Sequence, residues 1–364
     1  LTPAATIEWV TTQDRFEALA EEWNALLGED SMPFDCHEWY AAWWRAFGTG
    51  SELRICLARR GDDLVAVLPL RTVSGGLAAL ANVHTPVFRP LATDAEALEA
   101  VLAAAFGDGS HGLELFALPT ADRALTVAES QAKQLGTPQL AEPIHVSPIV
   151  DTSGDFDEWR VASKPRWGAP IERFRRKMSR DHDAHLTIVE IPDDLDRELD
   201  RGFAVEGSGW KARNGTAITS SPDTAQFYRE IAHAFAGRGE LRLSGIELDG
   251  DLAAFDLTLL HRNQLYLLKT GFDERFRKLA PGLVMRLSIV ERCFELGLDA
   301  HDLLGDDSEW KRKFATTARP HTSFRAFGRG PAGRGRYAYR AHGRPLLKRA
   351  RDKARAIQPR LSQG

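Results

Sequence analysis

Glu240-Leu241-Arg242-Leu243-Ser244-Gly245-Ile246-Glu247-Leu248-Asp249-Gly250-Asp251-Leu252-Ala253-Ala254-Phe255-Asp256-Leu257-Thr258-Leu259 decides the fold. Two apolar-rich runs joined by Asp-Gly are a strong hairpin signal, because these turn residues tolerate the positive φ angles a tight reversal needs. Gln264–Thr270 reads as a third strand. The polar loop Gly271–Ala280 follows, and Pro281-Gly282 then opens a helix; proline at the first helical position sacrifices no hydrogen bond. Leu283, Leu287, Val290 and Phe294 recur at helical spacing, and Gly297 is a reasonable stop. A short strand with an acidic exit, Ala300–Asp306, leads into Ser308-Glu309-Trp310-Lys311-Arg312-Lys313-Phe314.

This order of meander, basic loop, helix and strand resembles the core of the GNAT acyltransferases. In detail it is most similar to the branch with the cellulose-biosynthesis acetyltransferase-like proteins and the Fem-type aminoacyl transferases. The matching pieces are Phe227-Tyr228-Arg229-Glu230, Leu248-Asp249-Gly250, Gly271-Phe272-Asp273, Ala280-Pro281-Gly282 and Trp310–Phe314, within a span from about Trp159 to Phe327. Trp23, Phe34, Trp39 and Trp43-Trp44 match the N-terminal half of the same branch. At helical spacing these rings read as core rather than as a substrate shelf.

The resemblance implies an α/β (α+β) protein of tandem GNAT-like units, each a mixed sheet flanked by helices. The residues give a hint of the repeat. Arg60-Gly61-Asp62-Asp63-Leu64-Val65-Ala66-Val67 parallels Leu248-Asp249-Gly250-Asp251-Leu252-Ala253-Ala254-Phe255. The expected boundaries are an N-terminal unit over 1–142, a linker or crossover over 143–158, a C-terminal unit carrying the site over 159–327 and a basic tail over 328–364. Helices are expected at 14–27, 33–44, 93–106, 121–135 and 225–236, with Gly328–Gly335 a flexible connector.

Composition excludes several classes. With 364 residues, 43% hydrophobic and 27% charged, the chain can fill two cores and is not a disordered polyampholyte. No apolar run approaches the roughly 20 residues of a spanning helix, and no secretory signal is visible at the start. Cys36, Cys56 and Cys293 form neither a metal spacing nor a disulfide framework, and His182 and His185 lack a third ligand nearby, so no metal is expected. The expected location is cytoplasmic, with an alternative peripheral to a membrane. Twelve Lys/Arg and one acid fall between Arg325 and Gly364, which leaves an acidic remainder of 35 cations and 50 anions. A cationic stripe on a helix from Pro345 would meet an anionic membrane, tRNA or the acidic body itself.

Acyl transfer needs a base for the acceptor amine, a positive group or N–H pair for the oxyanion, and a seat for the donor. The resemblance places Lys311 as the positive group; the alternative is a solvated Lys/Arg/Lys run. Glu206 is the first candidate base and Asp302 the second. Trp210, Lys211 and Asp273 are candidate substrate contacts, Trp210 and Lys211 lying in the glycine- and serine-broken stretch Phe203–Gly215. Arg277, Lys278, Ala280, Pro281, Gly282 and Leu283 would hold donor phosphates at the helix N-terminus.

The basic stretch Ile171–Arg180 either meets phosphates or balances nearby acids. The resemblance implies acyl-CoA, in particular acetyl-CoA, as co-substrate, with a small-molecule or saccharide amine acceptor in polysaccharide or specialised-metabolite assembly. The single glycine of the donor loop is also compatible with aminoacyl-tRNA as the donor. The rival from another class is a non-catalytic GNAT-like binding module.

Overall fold

The computed structural model describes residues 4–189, 192, 194–209, 215 and 217–344. Contacts divide them into two compact units. One comprises residues 4–18, 51–144 and 322–344; the other comprises residues 19–50 and 145–321. This differs from the sequence expectation of two consecutive halves, because residues 19–50 cluster with the later half of the chain and residues 322–344 with the earlier. The expected helix over 14–27 is accordingly broken into α1 (Gln13–Glu17) and α2 (Ala20–Asn24). Phe16 and Trp23 are both buried, but they serve different units.

In the first unit β1 (Thr6–Val10), β2 (Leu53–Arg60), β3 (Asp63–Val73) and β4 (Gly76–Ala79) pair antiparallel in series. The β2–β3 turn passes through Gly61 at φ 63°. Helix α4 (Ala95–Phe106) starts where the Asp94 carboxylate accepts from the Ala97 N–H at 2.9 Å. It leads to β6 (Gly112–Pro119), which pairs parallel to β4. Between β4 and α4 a long loop adds the short β5 (Leu91–Ala92) to β3 and buries Val87 and Phe88 completely. Helix α5 (Arg123–Gln134) follows.

The 143–158 segment, expected as a linker or crossover with a strand at 147–152, carries a strand and a helix start rather than a free connector. Strand β7 (Gln139–Asp151) runs through it and α6 (Phe156–Asp181) begins at its end; the alternating apolar residues of 144–150 favour a strand over a free connector.

The second unit repeats this order. β8 (Ala184–Val189), β9 (Leu241–Leu248), β10 (Asp251–His261) and β11 (Gln264–Phe272) are antiparallel in series. The β9–β10 turn uses Asp249 at φ 54° and Gly250 at φ 85°, the left-handed pair that Asp-Gly permits. Helix α9 (Pro281–Glu295) then leads to β12 (Ala300–Asp302), parallel to β11. The far side of β12 pairs with Ile149–Asp151 of β7.

The hairpins at Gly61 and Gly250 thus occupy equivalent places in two copies of one topology. Helices α7 (Leu195–Glu206) and α8 (Pro222–Gly237), together with α3 (His37–Phe47), flank the sheet. Trp39 and Phe47 meet Phe227 edge-on or tilted at 5.2 and 5.3 Å, and Phe34 meets Tyr266 at 5.6 Å, so the aromatic-rich segment is core. Beyond α10 (Glu309–Arg312) the chain enters β13 (Thr317–Ala326) and α11 (Pro331–Ala338).

Helix α11 corrects the expected flexible connector. Pro331 sits at its first position, and a Cβ on Gly333 would lie 1.8 Å from the Gly328 carbonyl oxygen. Those glycines permit close packing rather than looseness. Residues 345–364, where the cationic stripe was expected, lie outside the described residues.

Candidate active site

In the second unit β11 and β12 pair only over Gln264–Tyr266 and Ala300–Asp302, and β11 then runs on to Phe272. A cavity of about 430 Å³ opens along that extension. Its walls include Glu206, Thr270, Gly271, Phe272, Glu274, Arg277, Ala280, Gly282, Leu283, Ser308 and Trp310. At the equivalent point of the first unit the β4–α4 loop occupies the space beside β6: Phe88 is fully buried and its N–H donates to the Ala117 carbonyl at 3.1 Å.

Glu206 ends α7, which lies so close to β11 that a Cβ on Gly271 would stand 2.5 Å from the Glu206 Cα. Only glycine fits there. The Glu206 side chain is 2% exposed, and its Oε2 accepts from the Ile218 N–H at 2.9 Å. Beneath it Tyr228 is buried, with the Lys269 Nζ 4.6 Å from its ring centroid. Burial, helped by the nearby Glu206 charge, pushes the Tyr228 hydroxyl pKa up, so Tyr228 stays protonated.

The turn into α9 is a 3-10 segment, Glu274–Leu279. Asp273 caps it. Its Oδ1 accepts from the Arg275 N–H at 2.9 Å and its Oδ2 pairs with the Arg275 guanidinium at 2.7 Å, a bond that holds the Asp273 carboxyl below its ordinary range. Ala280 turns left-handed at φ 49°, and its carbonyl receives the Leu283 and Val284 N–H groups. The Gly282 N–H, in the first helical turn, is one that the helix itself leaves unused. Arg277 lies 3.9 Å from Glu274 and is otherwise exposed, as is Lys278.

The sequence candidates therefore separate. Glu206, Arg277, Ala280, Gly282 and Leu283 meet at the cavity; Pro281 is the buried start of α9, and Lys278 projects from the same turn. Trp210 and Lys211 lie outside the described residues. Asp273 serves as the cap of the turn into α9. Asp302, fully buried, accepts the Leu304 N–H at 2.9 Å and is ion-paired with Arg319. Lys311 gives its ammonium to the Leu304 carbonyl, at a turn where Leu304 and Gly305 are both left-handed, and lies 5.7 Å from the Trp310 ring centroid.

Sequence reasoning overlooked Glu274 and Ser308 as wall residues. It also overlooked the buried Asp256, Arg286 and His301 beneath Trp310. A carboxylate three residues before an Arg-Lys pair reads as an ordinary surface charge, so nothing in the pattern flagged Glu274.

Both units are α/β, and the succession of meander, helix and parallel strand is that of the GNAT fold. Residues 169–312 match the family model described as acetyltransferase (GNAT) domain. No curated protein matches the chain. Among solved structures, FemX superposes with a TM-score of 0.56 at 13% identity, covering 87% of this chain and 96% of its own. L-PGS from Bacillus licheniformis gives 0.55 at 11% identity, over 91% and 96%. A conserved protein of unknown function from Bacteroides thetaiotaomicron gives 0.56 at 10% identity, over 88% and 99%. At such identities these likenesses concern the fold.

Among the described residues no helix is long and apolar enough to cross a membrane, and no group of His, Cys, Asp and Glu is arranged to hold a metal ion.

Proposed function

We propose that the second unit is an N-acyltransferase that moves an acyl group from acyl-CoA, in the simplest case acetyl-CoA, to an amine bound in the cavity. The observation that carries this reading is the placement of one buried carboxylate, Glu206, in the same cavity wall system as the N-terminus of α9, within the stretch that matches the GNAT domain model. The donor phosphates sit at the Ala280–Leu283 turn, where the unused Gly282 N–H, the helix dipole and the exposed Arg277 and Lys278 favour negative charge. Phe272, Leu283 and Trp310 give the apolar surface for the donor arm.

Glu206 accepts a proton from the acceptor ammonium. The free amine attacks the thioester carbonyl, the C–N bond forms, the C–S bond breaks, and the thiolate leaves as a thiol by taking up the proton that the attacking nitrogen loses. Lys311 remains the proposed positive group for the oxyanion, which requires its ammonium to exchange the Leu304 carbonyl for the substrate oxygen. Asp302, committed to Arg319, is the weaker proposal for the base.

A charged tRNA is the second reading of the donor. It is favoured by α6, where Arg173 and Arg176 are exposed and carry no ion pair among the described residues. The non-catalytic alternative predicts binding without turnover.

Calorimetry with acetyl-CoA and with aminoacylated tRNA, coupled to thiol release in the presence of a panel of amines, tests all three. Thiol release that depends on amine and falls about 10²–10³-fold in Lys311→Ala supports the proposal with its oxyanion role. Binding of acetyl-CoA with no turnover on any amine, or binding of tRNA alone, overturns it.

A further inference from the structure

Arg286 is completely buried in the middle of the second unit's hydrophobic cluster. It projects from α9 between three strands. One Nη is ion-paired with Asp256 of β10, itself fully buried. The other donates to His301 Nε2 of β12 at 2.6 Å. His301 Nδ1 lies 2.9 Å from the Leu265 carbonyl of β11 and must carry the hydrogen of that bond, which leaves Nε2 as a lone-pair acceptor. The tautomer, and with it the direction of the Arg286 bond, is thereby fixed. The flat side of the network faces Trp310, whose ring centroid is 5.8 Å from the guanidinium carbon.

A buried Arg–Asp pair is a poor device for stability alone, since well-packed apolar residues in the same space usually do as well or better. What this pair adds is direction. It ties α9, β10, β11 and β12 to one cation whose remaining face is covered by a wall residue of the cavity.

We propose that Arg286, oriented by Asp256 and His301, is a positioning residue that fixes the Trp310 ring as a wall of the substrate cavity through a cation–π contact. Trp310 sits on the four-residue helix α10, too short to hold an indole by itself. The Lys311 ammonium also lies 5.7 Å from the same ring. Trp310 is thus held by cations of two different origins, one buried and immobile, one on a flexible stem. The role rests on the reading that this cavity takes substrate, and the test separates the two.

The variants are Trp310→Ala, Arg286→Met, and Asp256→Leu with Arg286→Met, the last removing both charges so that neither is left unbalanced in the core. The two that remove the Arg286 charge are also combined with Trp310→Ala. Acetyl-CoA is the probe for binding. In parallel, the full chain labelled with 5-fluorotryptophan gives one ¹⁹F resonance for Trp310, assigned by its loss in Trp310→Phe.

Removing the Arg286 charge is expected to shift and broaden the Trp310 resonance while the other tryptophans hold theirs. It is also expected to weaken acetyl-CoA binding about threefold to thirtyfold, the range of one desolvated cation–π contact. With Trp310 already Ala, loss of the charge should weaken binding little further. An unmoved Trp310 resonance in the charge-free pair, or losses that multiply in the combined variants, overturns the positioning role. A shifted resonance in a protein that never binds acetyl-CoA keeps the clamp and removes the donor reading instead.

Discussion

Ser308 precedes α10 at the position where a serine ordinarily caps a helix, yet its hydroxyl makes no capping bond. The oxygen is buried in the cavity wall, with no hydrogen-bond partner among the described residues. A buried unsatisfied hydroxyl costs about 1–3 kcal/mol. Ser308→Ala is therefore expected to leave stability unchanged or raise it by up to about 1 kcal/mol while weakening acetyl-CoA binding. Calorimetric unfolding beside ligand titration checks it, and a stability loss without a binding loss would count against a ligand-facing hydroxyl.

His301 makes the opposite case, a side chain whose polar atoms are all engaged. Burial, then the Arg286 charge, depress its pKa from 6.5 to about 3. The unfolded chain takes up this proton below pH 6.5 and the folded chain only near pH 3, so the unfolded state binds more protons in between. Stability contributed by neutral His301 is thus complete above pH 6.5 and is lost as the pH falls toward 3, by at most about 1.4 kcal/mol per pH unit. His301→Gln, which can keep both hydrogen bonds, should flatten the acid limb of a urea-denaturation series over that window. An unchanged slope would mean that His301 titrates normally.

Neither residue was legible beforehand. Arg286 interrupts an apolar helix face and reads as solvent-directed, because its partners Asp256 and His301 come from distant strands. Glu206 was legible as a helix end, because Gly207-Ser208-Gly209 follows it, and that end stands in the cavity wall.

At the level of elements, the β9–β10 hairpin, the Pro281 helix start and the Gly297 stop could be read because turn and cap chemistry is local. The Gly297 φ of 65° shows why glycine stands there. What could not be read locally was the separation between elements. Gly271 resembles any strand glycine, yet the approach of α7 makes it obligatory, while Gly250 has open space and needs glycine only for its backbone angle. The two should respond differently. Gly271→Ala forces α7 away from β11 and is expected to cost about 1–3 kcal/mol, as overpacking does. It should also lower turnover, because Glu206 moves with the helix. Gly250→Ala should cost only about 1 kcal/mol, from φ strain, with turnover intact. Denaturant melts and initial rates on both variants compare the two effects. Equal loss of turnover in both would detach Glu206 from the chemistry.

Over the whole molecule, the repeat of topology was visible in the paired Gly-Asp hairpins, whereas the partition of the chain was not. Residues 19–50 carry a helix pattern that would suit either core. Their aromatic rings meet Phe227 and Tyr266, residues 188 and 232 positions later than Trp39 and Phe34, and only that pairing assigns them. The repeat also raises a question of number, since two copies of one topology present two pairs of diverging parallel strands. They are not equivalent in content. After β11 the chain reaches α9 through eight residues, Asp273–Ala280, and leaves a cavity. After β4 it takes the long route through 80–94, and Val87 and Phe88 fill the corresponding ground with Phe88 bonded to β6. One acetyl-CoA per chain is therefore expected in calorimetry. Phe88→Ala should leave that stoichiometry and affinity unchanged while lowering stability by about 3–5 kcal/mol, the usual result of emptying a buried aromatic site. Lys278→Glu, at the turn of the open copy, should weaken the single binding event by adding negative charge where phosphates approach. A stoichiometry of two, or a Phe88→Ala protein that gains a second binding event, would show that the first copy keeps a usable site behind its own loop.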